Sequence, residues 1–307
     1  MKYISLFAGI GGFDLALNRL GHECVWANEW DKYAAQIYDK NFCGGRLLPR
    51  QGEVLSGGVA NITGGQAGLE SIDTRDLRTV PTSEIPDHDL LVGGFPCQAF
   101  SIAGKRRGFE DTRGTLFWDI ARILKDKHPS YFILENVKGL LSHNGGSTFK
   151  TIISTLAELG YDLEWQVLNS KNFGVPQNRE RVFIVGHTRG QPRPEVFPIG
   201  GGGEKNNETR ISKTIRSGYY KQGFGSQMID SIAHTVRNGG RASGIDKKQN
   251  WDSYEVGGRI RRLTPTECER LQGFPDGWTE GISDTQRYKC LGNAVTVNVV
   301  YEVAKRL

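Results

Sequence analysis

Along the first 190 residues, short apolar runs alternate with stretches in which apolar residues recur every three or four positions. KYISLF (2–7), CVWAN (24–28), DLLVGG (89–94) and YFILEN (131–136) read as strands, and LEWQVLN (163–169) and RVFIVG (181–186) follow the pattern more loosely. Helical spacing covers 12–20, 31–41, 115–127 and 147–159. Continuous apolar strands alternating with helices predict an α/β fold built on a doubly wound, mostly parallel sheet, with ligands at the carboxyl ends of its strands. Two segments break the pattern. Residues 44–68 hold 8 glycines in 25 positions and read as a solvent-exposed insertion with no core and no catalytic role. Residues 189–262 contain the run Gly200–Gly203, scattered basic residues and several aromatics, and read as a small loop-rich domain. After it, LTPTECERLQGF predicts a helix with Thr264 as N-cap and Pro265 in its first turn, and GNAVTVNVVYEVAKRL predicts one further apolar helix. The expected organisation is a catalytic domain over 1–188, a small domain over 189–262, and C-terminal helices over 263–307 that return to the first.

Composition narrows this picture. At 307 residues the chain is long enough for a large buried core, with no need of disulfides. Its five cysteines (Cys24, Cys43, Cys97, Cys268, Cys290) form no CxxC pair and no His cluster completes a zinc set, so a reducing cytoplasm and no metal are expected. The N-terminal MKYISLFAGIGGFDLAL is broken by glycines and an acid where a signal peptide is apolar, and nowhere do 18 apolar residues run together, so no membrane partner is expected. The net charge of +5 matters less than its placement. From Arg189 to Arg262 there are 14 Lys/Arg against 7 Asp/Glu, whereas the rest of the chain has 25 against 27. A basic segment beside a near-neutral body is the footprint of a nucleic-acid surface, or of a solvated basic face.

Four constellations carry candidate chemistry. In SLFAGIGGFDLAL a strand ending at Phe7 meets Gly9, Gly11 and Gly12 before a helix, so backbone can approach a ligand at a helix N-terminus. Asp14 stands where a dinucleotide fingerprint has its third glycine, which counts against NAD. The next strand ends in Glu29 and Trp30, an acid suited to a ribose diol and an indole face suited to an adenine. In LLVGGFPCQAFS the strand breaks at Gly93, Gly94 and Pro96, presenting Cys97 at the sheet edge where a thiolate could attack. The polar stretch that follows carries Lys105, Arg106, Arg107 and Arg113, basic enough to touch phosphates and long enough for a lid. In FILENV the strand delivers Glu135 to the same edge, where burial would raise its pKa toward use as an acid. In VPQNRERVF, Arg179 and Arg181 lie two apart and point to one side; one can reach a substrate carbonyl and the other a backbone partner.

Taken together, FAGIGGF, NEW, GGFPCQAFS, ENV, QNRER, RRLTPTECERLQGFPD and GNAVTVNV occur in the order and rough spacing of the DNA (cytosine-5) methyltransferases, particularly the small bacterial restriction-modification type. The resemblance covers nearly the whole chain outside 43–70 and 189–260. It implies a Rossmann-like S-adenosyl-L-methionine-dependent fold, a double-stranded DNA substrate, and transfer of a methyl group to C5 of a cytosine flipped out of the duplex. By the same resemblance Cys97 adds to C6, Glu135 holds N3 and the exocyclic amine, and Arg181 holds O2. Phe7, Gly9, Gly11, Glu29 and Trp30 line the cofactor site, with Asp76 near the adenine amine and Asn293 near the methionine end. Gln98, Ser101 and Lys105 close over the base. The segment 189–262 occupies the place of the family's target-recognition domain. Within it Thr235 and Val236 match a Thr-hydrophobic pair that fixes the target position, and Arg237 and Arg241 are candidates for guanine edges or for phosphate clamps. A monomer is expected, with a possible cognate restriction endonuclease that shares the site without being bound. Three other readings stand beside this one: a cytosine-5 methyltransferase of structured RNA, a catalytically silent DNA-binding protein, and, from the glycine loop alone, a dinucleotide oxidoreductase. Pro96-Cys97-Gln98 counts against the first, intact Cys97, Glu135 and Arg181 against the second, and Asp14 against the third.

Overall fold

The six apolar runs become the six strands of a single sheet. The structure is a computed structural model, and it describes residues 1–43, 69–96, 116–190, 195–200, 233–234, 254–256, 259–261 and 263–307. The strands are β1 (Lys2–Leu6), β2 (Glu23–Asn28), β3 (Leu90–Gly94), β4 (Tyr131–Val137), β5 (Tyr161–Asn169), the short β6 (Gln177–Asn178), which lies outside the sheet, and β7 (Glu180–Thr188). Their order across the sheet is β2-β1-β3-β4-β7-β5. The first four run parallel, whereas β7 is antiparallel to both β4 and β5. Residues 170–179 alone connect β5 to β7, and a parallel crossover needs about a dozen residues or more, so β7 must return beside β5 as a hairpin partner.

Helices cover both faces, which is why the inner strands are apolar without alternation. Phe13 and Leu17 of α1 (Gly12–Arg19), Ile37 and Tyr38 of α2 (Lys32–Phe42), and Val300 and Val303 near the C-terminus form the core of one face. Ile120 and Leu124 of α3 (Leu116–Lys127) and Ile152 and Leu156 of α4 (Ser147–Glu158) form that of the other. Among the described residues no helix is long and apolar enough to cross a membrane.

The C-terminal segment begins as its sequence predicts. Thr264 caps α5 (Pro265–Gln272) in a reciprocal capping box with Glu267, Pro265 opens the helix, and Gly273 closes it in the left-handed region at φ 81°. The stretch 292–307 is not the single helix expected. An intervening helix α6 (Asp284–Asn293) ends inside it, Ala294–Thr296 are extended, and α7 (Val297–Ala304) starts afresh and packs on α1. Tertiary contacts accompany the break: the Ala294 carbonyl accepts from the Arg179 guanidinium instead of a helical amide, and the Thr296 hydroxyl bonds to Ser170 and Gln272.

Most of 189–262, and all of 44–68, lies outside the described residues. Within the former, β8 (Ala233–His234) pairs in parallel with β6, and β9 (Tyr254–Val256) pairs antiparallel with β10 (Arg259–Arg261).

Candidate active site

The carboxyl edge of the parallel strands carries two groups of residues. The first surrounds the glycine loop between β1 and α1. Phe7 adopts a left-handed φ of 52°, a strained conformation for a bulky residue, and Gly9 and Gly11 follow at 59° and 83°. This turn is held by Glu29 at the tip of β2: the Gly9 amide donates to Oε2 at 2.8 Å and the Asp31 amide donates to Oε1 at 2.6 Å. Burial raises the Glu29 pKa, and these two amide hydrogen bonds oppose the rise. Trp30 beside it, just past the strand tip, is 54% exposed. Asn28 donates to the carbonyls of Asp73 (3.1 Å) and Arg75 (2.9 Å), which brings the segment leading to Asp76 alongside β2. Asp76 caps a short turn at 77–79 and pairs with the Arg78 guanidinium. From the C-terminal segment, the Trp278 indole donates to the Ile10 carbonyl at 2.8 Å, and Lys289 lies 2.6 Å from Asp31.

This set fits a nucleoside better than a phosphate. Glu29 keeps carboxylate lone pairs for a diol, and Trp30 stands half exposed beside it. The first turn of α1, where a pyrophosphate would seek positive field, holds instead the buried carboxyl of Asp14, which accepts from Ser5 (2.9 Å) and Tyr38 (2.8 Å).

The second group lies at the tips of β3, β4 and β7. The β3–β4 register ends with Gly94 opposite Glu135, and a Cβ at Gly94 would come within 3.0 Å of the Glu135 carboxylate, so glycine here makes room for the acid. Glu135 Oε1 is 3.0 Å from Arg181 Nε, with the two side chains 12% and 17% exposed. Burial raises the Glu135 pKa, while the charges of Arg181 and then Arg179 pull it back. Asn136 donates to the Phe95 carbonyl at 2.8 Å, tethering the strand that continues through exposed Pro96. Arg179 is 2% exposed and donates through Nη2 to the carbonyls of Gly292 (3.1 Å) and Ala294 (2.7 Å). Burial, with the neighbouring charge of Arg181, pulls its pKa down to about 9. Of the two arginines, Arg179 therefore grips the backbone of the C-terminal segment and Arg181 faces the acid.

The sequence profile of the C-5 cytosine-specific DNA methylases matches residues 1–53, 66–217 and 202–307. The chain belongs to this family. It is a DNA cytosine-5 methyltransferase, and methyl transfer in this family draws on S-adenosyl-L-methionine. The methyltransferase is 36% identical to the Type II methyltransferase M.HhaI of Haemophilus parahaemolyticus, over 99% of this chain and 93% of that one. It is 39% identical to M.NgoBI of Neisseria gonorrhoeae, over 99% and 92%. Among solved structures, a DNMT2 mutant of Spodoptera frugiperda superposes with a TM-score of 0.64 at 21% identity, covering 99% of this chain and 98% of that one, which is a likeness of fold.

The structure of the methyltransferase thus brings Phe7, Gly9, Gly11 and Glu29 together at one strand tip, and Glu135, Arg179 and Arg181 together at another. Asn293 ends α6, between the two carbonyls that Arg179 binds. Cys97, Gln98, Ser101, Lys105, Arg113, Thr235, Val236, Arg237 and Arg241 lie outside the described residues. Sequence reading passed over Asn136, Trp278 and Lys289. Asn136 carried a signal, as a polar residue continuing an apolar strand. Trp278 and Lys289 carried none, because each acts on a partner more than 250 positions away. Among the described residues no group of His, Cys, Asp or Glu could hold a metal ion.

Proposed function

We propose that the chain methylates C5 of a cytosine flipped out of duplex DNA within a short recognition sequence, with Cys97 as nucleophile. The observation that carries the reading is the Glu135–Arg181 pair, shielded from water at the sheet edge, with Glu135 directly opposite Gly94, the last residue of the strand that leads to Cys97. C5 of cytosine is a weak nucleophile, and a thiolate adding to C6 turns the ring into an enamine. Glu135 hydrogen-bonds N3 and the exocyclic amine as charge develops there, and Arg181 holds O2. S-adenosyl-L-methionine supplies the electrophilic methyl group, with Glu29 on its ribose, Trp30 and Asp76 at its adenine, and Asn293 toward its methionine end. Loss of the C5 proton and of Cys97 from C6 then restores the aromatic ring and frees the thiolate.

Gln98, Ser101, Lys105 and Arg113 close over the base and backbone, and the recognition domain at 189–262 reads the sequence. Pairing of β8 with β6 supports the second assignment, because it anchors the chain just ahead of Thr235 and Val236 beside the turn that bears Arg179 and Arg181. Arg237 and Arg241 contact guanine edges or phosphates. We further propose that the protein works as a monomer in the bacterial cytoplasm, in a restriction-modification setting whose endonuclease shares the site but not a complex.

The test is base-resolved mapping of 5-methylcytosine in unmethylated genomic DNA incubated with S-adenosyl-L-methionine and either the parent chain or Cys97→Ala. Modification confined to one short motif, and lost in Cys97→Ala while DNA binding persists, is the expected result. Appreciable 5-methylcytosine from Cys97→Ala would refute the nucleophile assignment.

A further inference from the structure

Among the described residues Arg179 heads the fully buried side chains by volume, and its surroundings tie together the two groups of residues described above. Its Nη2 binds the carbonyls of Gly292 and Ala294, and its own carbonyl accepts from the Ser170 amide at 3.0 Å. Ser170 Oγ lies 2.8 Å from Thr296 Oγ1, which donates to Gln272 Oε1 at 2.8 Å. Gln272 in turn donates to the Leu291 carbonyl at 2.8 Å. Residues 291–296 are therefore fastened along their length, at 292, 294 and 296 to the turn that precedes β7 and at 291 and 296 to Gln272 of α5. The same residues lean on the glycine loop: a Cβ at Gly12 would lie 2.9 Å from the Val295 carbonyl. Two positions along the chain from Arg179, Arg181 holds Glu135.

A plainly structural role fits this arginine poorly. Its Nε and Nη1 have no hydrogen-bond partner among the described residues, whereas buried donors are nearly always satisfied. A buried guanidinium is expensive to desolvate, and an apolar side chain of similar volume would often fill the space at no loss of stability. What an apolar side chain cannot do is grip two carbonyls on one side while its backbone aligns Arg181 on the other.

We propose that Arg179 is a positioning residue that couples the two halves of the active site, so that the methyl donor and the target cytosine each strengthen binding of the other. It holds 291–296 against the glycine loop and, through its own backbone, sets Arg181 against Glu135. The inference rests on the preceding reading, in which Glu29 and Asn293 serve the cofactor and Glu135 and Arg181 serve the base.

The test is calorimetric titration of S-adenosyl-L-homocysteine into the full chain, alone and saturated with a duplex bearing the mapped methylation site. The parent protein should bind it about tenfold more tightly on DNA than alone, within the usual range of coupling between sites. In Arg179→Lys, which keeps the charge but loses the fork, that ratio should fall to about twofold or less. Thr296→Val, which removes a hydroxyl from the same network and leaves the arginine in place, should lower the ratio part-way. A general structural defect would instead lower melting temperature and both affinities together and leave the ratio intact. No tightening in the parent protein, or an unchanged ratio in both variants, overturns the proposal. Arg181→Ala separates this failure from failure of the underlying reading: a normal methylation rate there sinks the reading itself, whereas a lost rate with an unchanged ratio in Arg179→Lys sinks the coupling alone.

Discussion

Glu29 and Glu135 stand at the carboxyl ends of two parallel strands of one sheet, and burial pushes the pKa of both upward, yet they are held in opposite ways. Glu29 is held by backbone: the amides of Gly9 and Asp31 occupy its two oxygens. Glu135 is held by another side chain, Arg181, at 3.0 Å. Amides fixed in a turn cannot swing away, so the acid and the glycine loop define each other's shape before any ligand arrives. A guanidinium on four rotatable bonds can shift, so the Glu135–Arg181 pair stores its hydrogen-bonding capacity until a base takes it over. Backbone-held geometry suits a ligand bound the same way each time, and side-chain-held geometry suits one that must enter from a duplex.

Two substitutions probe this difference. Glu135→Gln should cost about 3 kcal/mol of transition-state stabilisation, roughly a hundredfold in single-turnover methyl transfer, as for loss of an oxyanion-type partner. Cofactor affinity by calorimetry should stay close to that of the parent, because the other carboxylate is untouched. A near-normal transfer rate would mean that some other group handles N3. Glu29→Gln should act in the reverse sense. An amide side chain cannot accept two amide hydrogen bonds through two oxygens, so the turn loosens and S-adenosyl-L-methionine binding weakens by about 2 kcal/mol, roughly thirtyfold, the range for hydrogen bonds to a charged group. Turnover at saturating cofactor should be largely retained, and a fall in kcat without a change in affinity would contradict the division of labour.

The sequence made much of this arrangement legible, and the reasons are local. The apolar runs at 90–92 and 131–134 are unbroken because both faces are covered, and the residues that follow each, Gly93–Gly94 and Glu135, lie at the sheet edge. That places Glu135, and likewise Glu29 at the tip of β2 beyond β1 and β3, without any knowledge of the pairing. The capping box at Thr264 is likewise complete within four residues. What could not be read depends on distant partners or on direction. Periodicity carries no strand polarity, so the antiparallel course of β7 is visible only in the shortness of its connection to β5. The extended break at 294–296 lies inside an apolar stretch with every mark of one helix, and its polar groups bond instead to Arg179, Ser170 and Gln272. The burial of Arg179 has the same origin: it is held by the carbonyls of Gly292 and Ala294, more than 110 positions away.

A third carboxylate sharpens the comparison because neither device serves it. Asp39 of α2 is buried, with Oδ1 unpartnered among the described residues, and burial pushes its pKa up to about 6 from an ordinary value of 3.8, opposed only by the Cys43 thiol. A carboxyl whose pKa is higher in the folded than in the unfolded chain favours folding when protonated. Its contribution is therefore complete below pH 3.8 and is lost as pH rises through about 6. Above that pH the folded protein carries a poorly solvated charge that Asn would not. Asp39→Asn should accordingly stabilise the protein at pH 8 by about 1 kcal/mol, less than the full shift because relaxation and water lessen the penalty, and the gain should shrink toward zero by pH 4. Urea denaturation of both proteins at the two pH values reads the difference directly. If the gain is as large at pH 4 as at pH 8, it comes from packing or helix propensity, and Asp39 is not the uncompensated charge that Glu29 and Glu135 avoid being.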